Sequence, residues 1–375
     1  MKNITVLGAG MVGSAIARNL SPMYQVTSID LKKENFNGPG FSDIRTLSLD
    51  ISEPGPLRRA IKDSDLVIGA VPGFMGFNTL KNVIEEGKDV VDISFFSEDP
   101  FLLDNMAKEK GVRAAVDCGV APGMSNIILG CYASRFNLES YKCMVGGLPF
   151  ERKLPFQYKA PFSPIDVIEE YTRTCRIVSK GKLVFKEALT EPETVEVARV
   201  GTLVAFNTDG LRTLIHTMKV PDMVEKTLRY PGHMEIMKVF RDSGFFNSDY
   251  LKIGENEFRP IDLTSHILFP HWRLKEGEKE FTAMIIEMHG EDKGIKKKIT
   301  STLFDETDST NNISSMARTT GYTCCAVAEL LLNRDYNTTG IIPPEHIGAN
   351  ENCFEKILHY LKERNVLYNF SESEV

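Results

Sequence analysis

Six short apolar runs precede Gly119, and segments of helical spacing lie between most of them. The runs read ITVLGAG, QVTSID, DIRTLSLD, DLVIGAV, DVVDIS and VRAAVDCG. Between them stand MVGSAIARNL, PGPLRRAIK, FNTLKNVIEEG and PFLLDNMAKEKG, whose apolar residues recur at the helical period. Pro56 fits a first helical turn and Gly87 fits a helix end. A strand with two apolar faces must be covered on both sides, and a helix after each strand supplies the cover. Right-handed crossovers then leave little topological choice. The alternation predicts an α/β domain built on a parallel sheet with helices on both faces.

The first of these turns carries Gly8, Ala9, Gly10, Met11, Val12 and Gly13, a G-x-G-x-x-G motif that follows a strand and opens a helix. In that setting the motif is the dinucleotide-binding turn of a Rossmann doubly wound parallel sheet. Gly8 permits the tight turn, Gly10 lets the backbone approach a pyrophosphate, and Gly13 lets the helix pack on the strand. The helix N-terminus offers N–H groups to the phosphates. Asp30 closes the second run, about twenty residues further on, where a carboxylate holds the ribose 2′-hydroxyl. A carboxylate there repels a 2′-phosphate, which favours NAD over NADP, although Lys32 and Lys33 soften the repulsion.

Ligands of such sheets lie beyond the carboxyl ends of the strands. Asp50 is the candidate for the adenine side, and Ala70, Val71 and Pro72 for the pyrophosphate and nicotinamide ribose. Asp92 and Asp117 end later runs and are candidates for the nicotinamide side. Each aspartate has an ordinary alternative as a turn or capping residue.

After Asn126 the pattern changes. YKCMVGGLP, TCRIVSKGKLVFKEAL, ETVEVARVGTLVAFNTDG, KTLRYPG, FTAMIIEMHGED and KKKITSTLF are strand-like, with few helices between them. SKGK and HGEDKG read as hairpin turns. GHMEIMKVFRDSG reads as a helix, and helical patterns return from about Ile313. The expectation is an inserted α+β substrate domain with a mainly antiparallel sheet at 126–312. The dinucleotide domain at 1–125 is then completed by C-terminal helices within 313–375, with SESEV frayed at the end. The middle domain holds a polar cluster: Asn207, Thr208, Asp209, Arg212 and Thr213, then Lys226, Arg229, Tyr230 and His233. Thr208, Arg212 and Arg229 are substrate-binding candidates, because arginine forms bidentate pairs with carboxylates. His233 is a candidate acid or base. Capping a sheet edge is the alternative for Arg229, and a structural role the alternative for His233.

A net charge of −7 disfavours nucleic acid and anionic membranes as partners. The longest basic run, KGIKKK, reads as a solvated hairpin edge. No apolar stretch reaches the ~20 residues of a membrane span, and the glycine-broken N-terminus does not read as a secretory signal. The seven cysteines include no C-x-x-C, so neither a disulfide framework nor a metal site is expected. A reduced, cytoplasmic setting is the simplest expectation.

VLGAGMVG, VDCGVAPGMSN, VGGLP, FNTDGLRTL, KTLRYPGH and NRDYNTTGIIPPEHIG occur in that order. In these motifs the chain resembles the saccharopine dehydrogenase and reductase superfamily, within it the lysine 6-dehydrogenase-like branch. The resemblance implies hydride transfer between a nicotinamide and an amine-bearing carbon of a small amino-acid substrate. It also implies a homodimer or dimer of dimers. Saccharopine reductases carry an aspartate in this turn, as G-L-D-P-G, where this chain has Ala121, and the difference favours lysine as substrate. Asp117 is then the first candidate to pair with the substrate ammonium and Asp92 the second. His233 would serve the imine hydrolysis, Arg229 or Arg212 the α-carboxylate, and Asn126 the ribose or substrate. The alternatives are an imine reductase of the saccharopine or carboxynorspermidine type, and a non-catalytic NAD-binding sensor.

Overall fold

The computed structural model describes every residue of the chain except 39, 161, 162 and 276. Six strands come first: β1 (Asn3–Leu7), β2 (Gln25–Asp30), β3 (Arg45–Ser48), β4 (Leu66–Gly69), β5 (Val90–Asp92) and β6 (Arg113–Ala115). Then follow β7 (Asn137–Pro149), β8 (Cys175–Ser179), β9 (Lys182–Lys186), β10 (Glu193–Val197), β11 (Gly201–Asn207) and β12 (Asp222–Arg229). The series ends with β13 (Leu251–Ile253), β14 (Asn256–Phe258), β15 (Glu280–Asp292), β16 (Ile295–Glu306), β17 (Gly340–Ile342) and β18 (Tyr368–Glu374). No helix among the described residues is long and apolar enough to cross a membrane.

The chain forms two compact units, Met1–Phe136 with Met316–Leu367, and Asn137–Ser315 with Tyr368–Val375. In the first unit, seven parallel strands run in the order β17-β6-β5-β4-β1-β2-β3. The order reverses at β1, which has β2 on one side and β4 on the other, and this is the switch point where such sheets bind ligands. Every residue of β4 is buried, as expected of a central parallel strand covered on both faces. Leu57, Ile61, Leu80, Val83 and Ile84 pack over Leu7, Ile29 and Val67 as part of its core. Burying one such side chain contributes about 1.5–3 kcal/mol.

The second unit is a nine-stranded sheet whose main path is β10-β11-β12-β7-β15-β16-β18, with β8 paired to β12 and β9. Its pairs are antiparallel except β12 with β7. Trp272, Tyr171, Phe206 and Met237 belong to one of its cores, and Leu148, Leu203, Leu228 and Phe281 to another. The two expected hairpins form, with positive φ at Lys180 and Gly181 and at Lys293 and Gly294. Both residues of such a turn need positive φ to follow the twist of the strands.

Three expectations are corrected. Helix Met124–Ala133 belongs to the first unit, so the chain passes into the second only after Phe136. The first sheet has a seventh strand, β17, taken from the C-terminal segment expected to be helical. SESEV is not frayed, because β18 pairs with β16 from Leu303 to Lys297. Of KGIKKK, Lys293 to Lys296 form the exposed end of the β15–β16 hairpin as expected, and Lys297 and Lys298 also pair with β18.

Candidate active site

Gly8 follows the first strand at φ +102, and a side chain there would meet the Ala70 carbonyl oxygen at 2.3 Å. A side chain at Gly13 would lie 2.0 Å from the Gly8 carbonyl oxygen. Gly10 differs, because nothing stands within 4 Å of where its Cβ would be. Two glycines therefore serve close packing, and the third opens on free space at the start of helix Met11–Leu20, whose first turn holds no acidic residue. That space, the unbonded N–H groups of a helix N-terminus and its dipole suit a pyrophosphate.

Asp30 is half-buried beside this turn. Its Oδ2 accepts the Ala9 amide at 2.8 Å and its Oδ1 accepts the Lys32 amide at 2.8 Å, so it braces the loop and retains lone pairs for a ribose. Met11, Leu31 and Phe74 are exposed apolar side chains, each just beyond one of the strand ends at the switch point. Val71 is buried, and Ala70 and Pro72 are half-buried in the turn after β4. These residues fit a dinucleotide.

Gly10→Val is expected to leave folding intact and weaken dinucleotide binding at least ~10-fold by filling that space. Gly13→Val is expected to lose the fold of the turn itself. Calorimetric titration and thermal melting separate the two, and normal binding by Gly10→Val would sink the assignment.

Asp50 is exposed and lies just beyond β3, one residue after Leu49, whose amide donates to the Asp30 carbonyl at 3.0 Å. Its Oδ1 accepts the Ser52 amide and hydroxyl at 2.9 and 2.7 Å, which lowers its pKa, and it caps a turn before helix Pro54–Ile61. The geometry is that of the turn aspartate.

Asp92 is the last residue of β5 and fully buried. Its Oδ1 accepts the Ser94 amide at 2.8 Å. Its carboxylate fills the place of a side chain on Gly69, whose Cβ would sit 1.9 Å from Oδ2, so Asp92 lies over the end of β4. Asp117 follows β6 in the left-handed region, φ 53, and is 2% exposed. The Cys118 thiol is pushed well up by burial, then by the charges of Asp117, Asp92 and Glu345. Three buried carboxylates therefore act on one sulfur.

Glu345 was not anticipated. The only mark on it in the sequence is its place in GIIPPEHIG, within a segment carrying the family resemblance. β17 brings it here: Ile342 pairs with Ala115, and the Val116 amide donates to the Ile342 carbonyl at 3.2 Å. Asn126, in helix Met124–Ala133, is fully buried and donates from Nδ2 to Glu345 Oε2 at 3.2 Å.

The polar cluster of the second unit divides in two. Thr208 Oγ1 lies 2.9 Å from Thr227 Oγ1, and the Thr208 amide donates to the Glu225 carbonyl. Glu225 lies over Gly210, where a Cβ would be 1.8 Å from its Oε1. Asp209 takes a bidentate pair from Arg176 at 2.9 and 2.8 Å. Arg212, 4% exposed, sits at φ 52 in the same loop.

Arg229 and His233 form the other part. Arg229 is 2% exposed, with Nη2 2.8 Å from Glu170 Oε2, Nε donating to the Tyr171 hydroxyl at 3.0 Å, and its guanidinium 4.5 Å from the Tyr158 ring centre. His233 is fully buried. Its Nδ1 donates to the Phe156 carbonyl at 2.8 Å, which leaves Nε2 to accept the Tyr171 hydroxyl proton at 3.0 Å. Burial, then the Arg229 charge, push its pKa down to about 3. A histidine so held stays neutral and fixed, so the acid–base role expected of it moves elsewhere. Arg229, spent on Glu170 and two tyrosines, is a poor partner for a substrate carboxylate.

Unfolding frees His233 to titrate near ~6.5, whereas the folded chain protonates it only near about 3. The unfolded state binds more protons between these values. Stability should therefore fall as pH drops below about 6.5, by roughly 1 kcal/mol per unit from this residue, and be constant above. Urea unfolding of wild type and His233→Gln across that window checks it, and an unchanged slope in the variant would count against it.

Residues 4–115 match the saccharopine dehydrogenase NADP binding domain, and residues 119–367 the saccharopine dehydrogenase C-terminal domain. The chain is 24% identical over 267 residues to a saccharopine dehydrogenase (NADP(+), L-glutamate-forming) of Saccharomyces cerevisiae, covering 66% of this chain and 59% of that protein. It is 25% identical over 240 residues to the alpha-aminoadipic semialdehyde synthase of Arabidopsis thaliana, covering 60% of this chain and 23% of that one. It thus spans less than two thirds of either relative's length. The fold matches an apo saccharopine dehydrogenase (L-Glu forming) from Saccharomyces cerevisiae with a TM-score of 0.78, at 19% identity and 100% coverage of both chains. It matches a homospermidine synthase from Legionella pneumophila, solved with NAD, with a TM-score of 0.69, at 10% identity and 99% and 91% coverage. With both domain models accounting for nearly all of its length, the chain belongs to the saccharopine dehydrogenase family.

Proposed function

We propose that this chain is a nicotinamide-dependent oxidoreductase acting at a carbon–nitrogen bond of an amino acid, with the ω-amine of lysine as the reacting group and NAD as the cofactor. The observation that carries this reading is the pair of buried carboxylates, Asp92 and Asp117, at the ends of neighbouring strands of the glycine-turn sheet. When bound, the nicotinamide accepts a hydride from the carbon that bears the amine. An alkyl ammonium has a pKa near ~10.4 and gives up no hydride while protonated. A carboxylate is therefore needed to hold the ammonium, take its proton and stabilise the iminium that follows. Asp117 is assigned that role and Asp92 supports it. With His233 locked neutral in the second unit, the proton work of imine hydrolysis falls to the same pair. Water then releases ammonia and leaves the semialdehyde.

Asp30 supports NAD, since its carboxylate opposes a 2′-phosphate. The curated relatives support a second reading, imine reduction of the saccharopine type with NADPH. Ala121 separates the two, because it brings no carboxylate to the turn. The test follows reduced nicotinamide by ultraviolet absorbance, with NAD or NADP and a panel of amino acids. The expected result is turnover of L-lysine with NAD preferred. Turnover of saccharopine with NADP and none of lysine would replace this reading by the second. Cofactor binding without turnover of any amine would leave a binding protein.

A further inference from the structure

The turn after Asp117 is folded tightly on itself. The Gly119 amide donates to the Pro122 carbonyl at 3.1 Å, and the Met124 amide donates back to the Gly119 carbonyl at 2.9 Å. Gly123 has φ +137, and a Cβ there would lie 1.9 Å from the Gly119 carbonyl oxygen. Asn126 closes this turn from the helix that follows. Its Oδ1 accepts the Gly123 amide at 3.3 Å and the Ser125 hydroxyl at 3.1 Å.

An asparagine amide has two ends of nearly equal shape, and the flipped form would set Nδ2 against the Gly123 N–H, donor against donor. Glu345 removes that choice. Its Oε2 accepts the Asn126 Nδ2 donor, which leaves Oδ1 facing Gly123. Glu345 and Asn126 are 1% and 0% exposed, so water does not compete for these bonds. The helices that carry them cross at backbone contact. A Cβ on Gly130 would lie 2.0 Å from the Glu345 carbonyl oxygen, and one on Gly348 would lie 1.9 Å from the Ile127 carbonyl oxygen. That crossing sets Glu345 beside Asn126.

We propose that Glu345 is a positioning residue: through the amide of Asn126 it holds the Gly119–Gly123 turn, and with it Asp117, in reacting geometry. The catalytic part of this statement rests on the carbon–nitrogen oxidoreductase reading above. The part about the turn does not.

The test uses the full chain and the variants Glu345→Ala, Glu345→Gln, Asn126→Ala and the double alanine variant. Two quantities are measured: kcat with the amine substrate, and hydrogen exchange of the amides of residues 119–126. Glu345→Ala is expected to lower kcat up to about 10²-fold, the scale of a displacement near 1 Å. NAD affinity should be unchanged, and exchange in the turn faster. Glu345→Gln, whose Oε1 accepts the same bond, should restore most of both. The double variant should be no worse than the worse single one, because the two residues act as one unit.

Wild-type kcat and exchange in Glu345→Ala would overturn the proposal. So would a Glu345→Gln as defective as the alanine variant with a displaced pH profile, since the charge itself would then be what acts. If Glu345→Ala does not fold, Asn126→Ala and Glu345→Gln decide by the same exchange readout. If the wild type turns over no amine, the functional reading fails on its own while exchange still decides the role of Glu345.

Discussion

Asp117→Asn is expected to lower turnover by about 10²–10⁴-fold, the range of a lost acid–base group, with NAD affinity near the wild-type value. Asparagine is chosen for two reasons. It has almost the shape of aspartate, and it tolerates the left-handed conformation that Asp117 adopts at φ 53. Alanine would add a backbone cost and confuse lost chemistry with lost structure. The glycine turn lies at β1 and Asp117 beyond β6, three strands along the sheet, so a loss at Asp117 is not expected to disturb the phosphate turn. Steady-state kinetics with calorimetric NAD binding make the measurement. A variant that keeps most of its turnover moves the role to Asp92. Asp92→Asn is a clean second test, because its Oδ1 still accepts the Ser94 amide.

Removing the carboxylate of Glu170 is the larger insult to the second unit. Glu170→Ala leaves the Arg229 guanidinium, 2% exposed, among two tyrosines and a carbonyl without its ion-pair partner. Burial pushes the Glu170 carboxyl up while the Arg229 charge pulls it down. An uncompensated buried charge costs about 3–5 kcal/mol, whereas replacing both partners by well-packed apolar residues is often neutral. Glu170→Ala should therefore lower the urea midpoint strongly, and Glu170→Leu with Arg229→Met should recover much of the loss. A small effect of the single variant would mean that the pair is solvated in solution. The same network explains why Arg229 and His233 mislead in one dimension. Both are residue types that bind carboxylates or move protons, yet Glu170, Tyr158, Tyr171 and Phe156 satisfy them.

The first sheet was legible because its information is local. A strand buried on both faces, a helix of matching period and a glycine at the turn announce themselves within about ten residues. In that turn Gly8 and Gly13 are closely packed, Gly10 faces open space and Asp30 accepts the Ala9 amide. Asp50 keeps two readings in one dimension, because an aspartate that accepts from a serine two residues on is as common in turns as in binding sites. β17 and β18 are short strands whose pairing is non-local, and nothing within either segment announces its partner.

By itself, the sequence determined the parallel α/β architecture, the nucleotide turn and the candidacy of Asp92 and Asp117, all properties of short runs with a fixed period. Only the tertiary structure decided that His233 stays neutral, that Arg229 is spent on Glu170, and that Glu345 reaches Asn126 across 219 residues. Burial and partner choice are set by which distant segments pack together, and a side chain's chemistry follows from those neighbours.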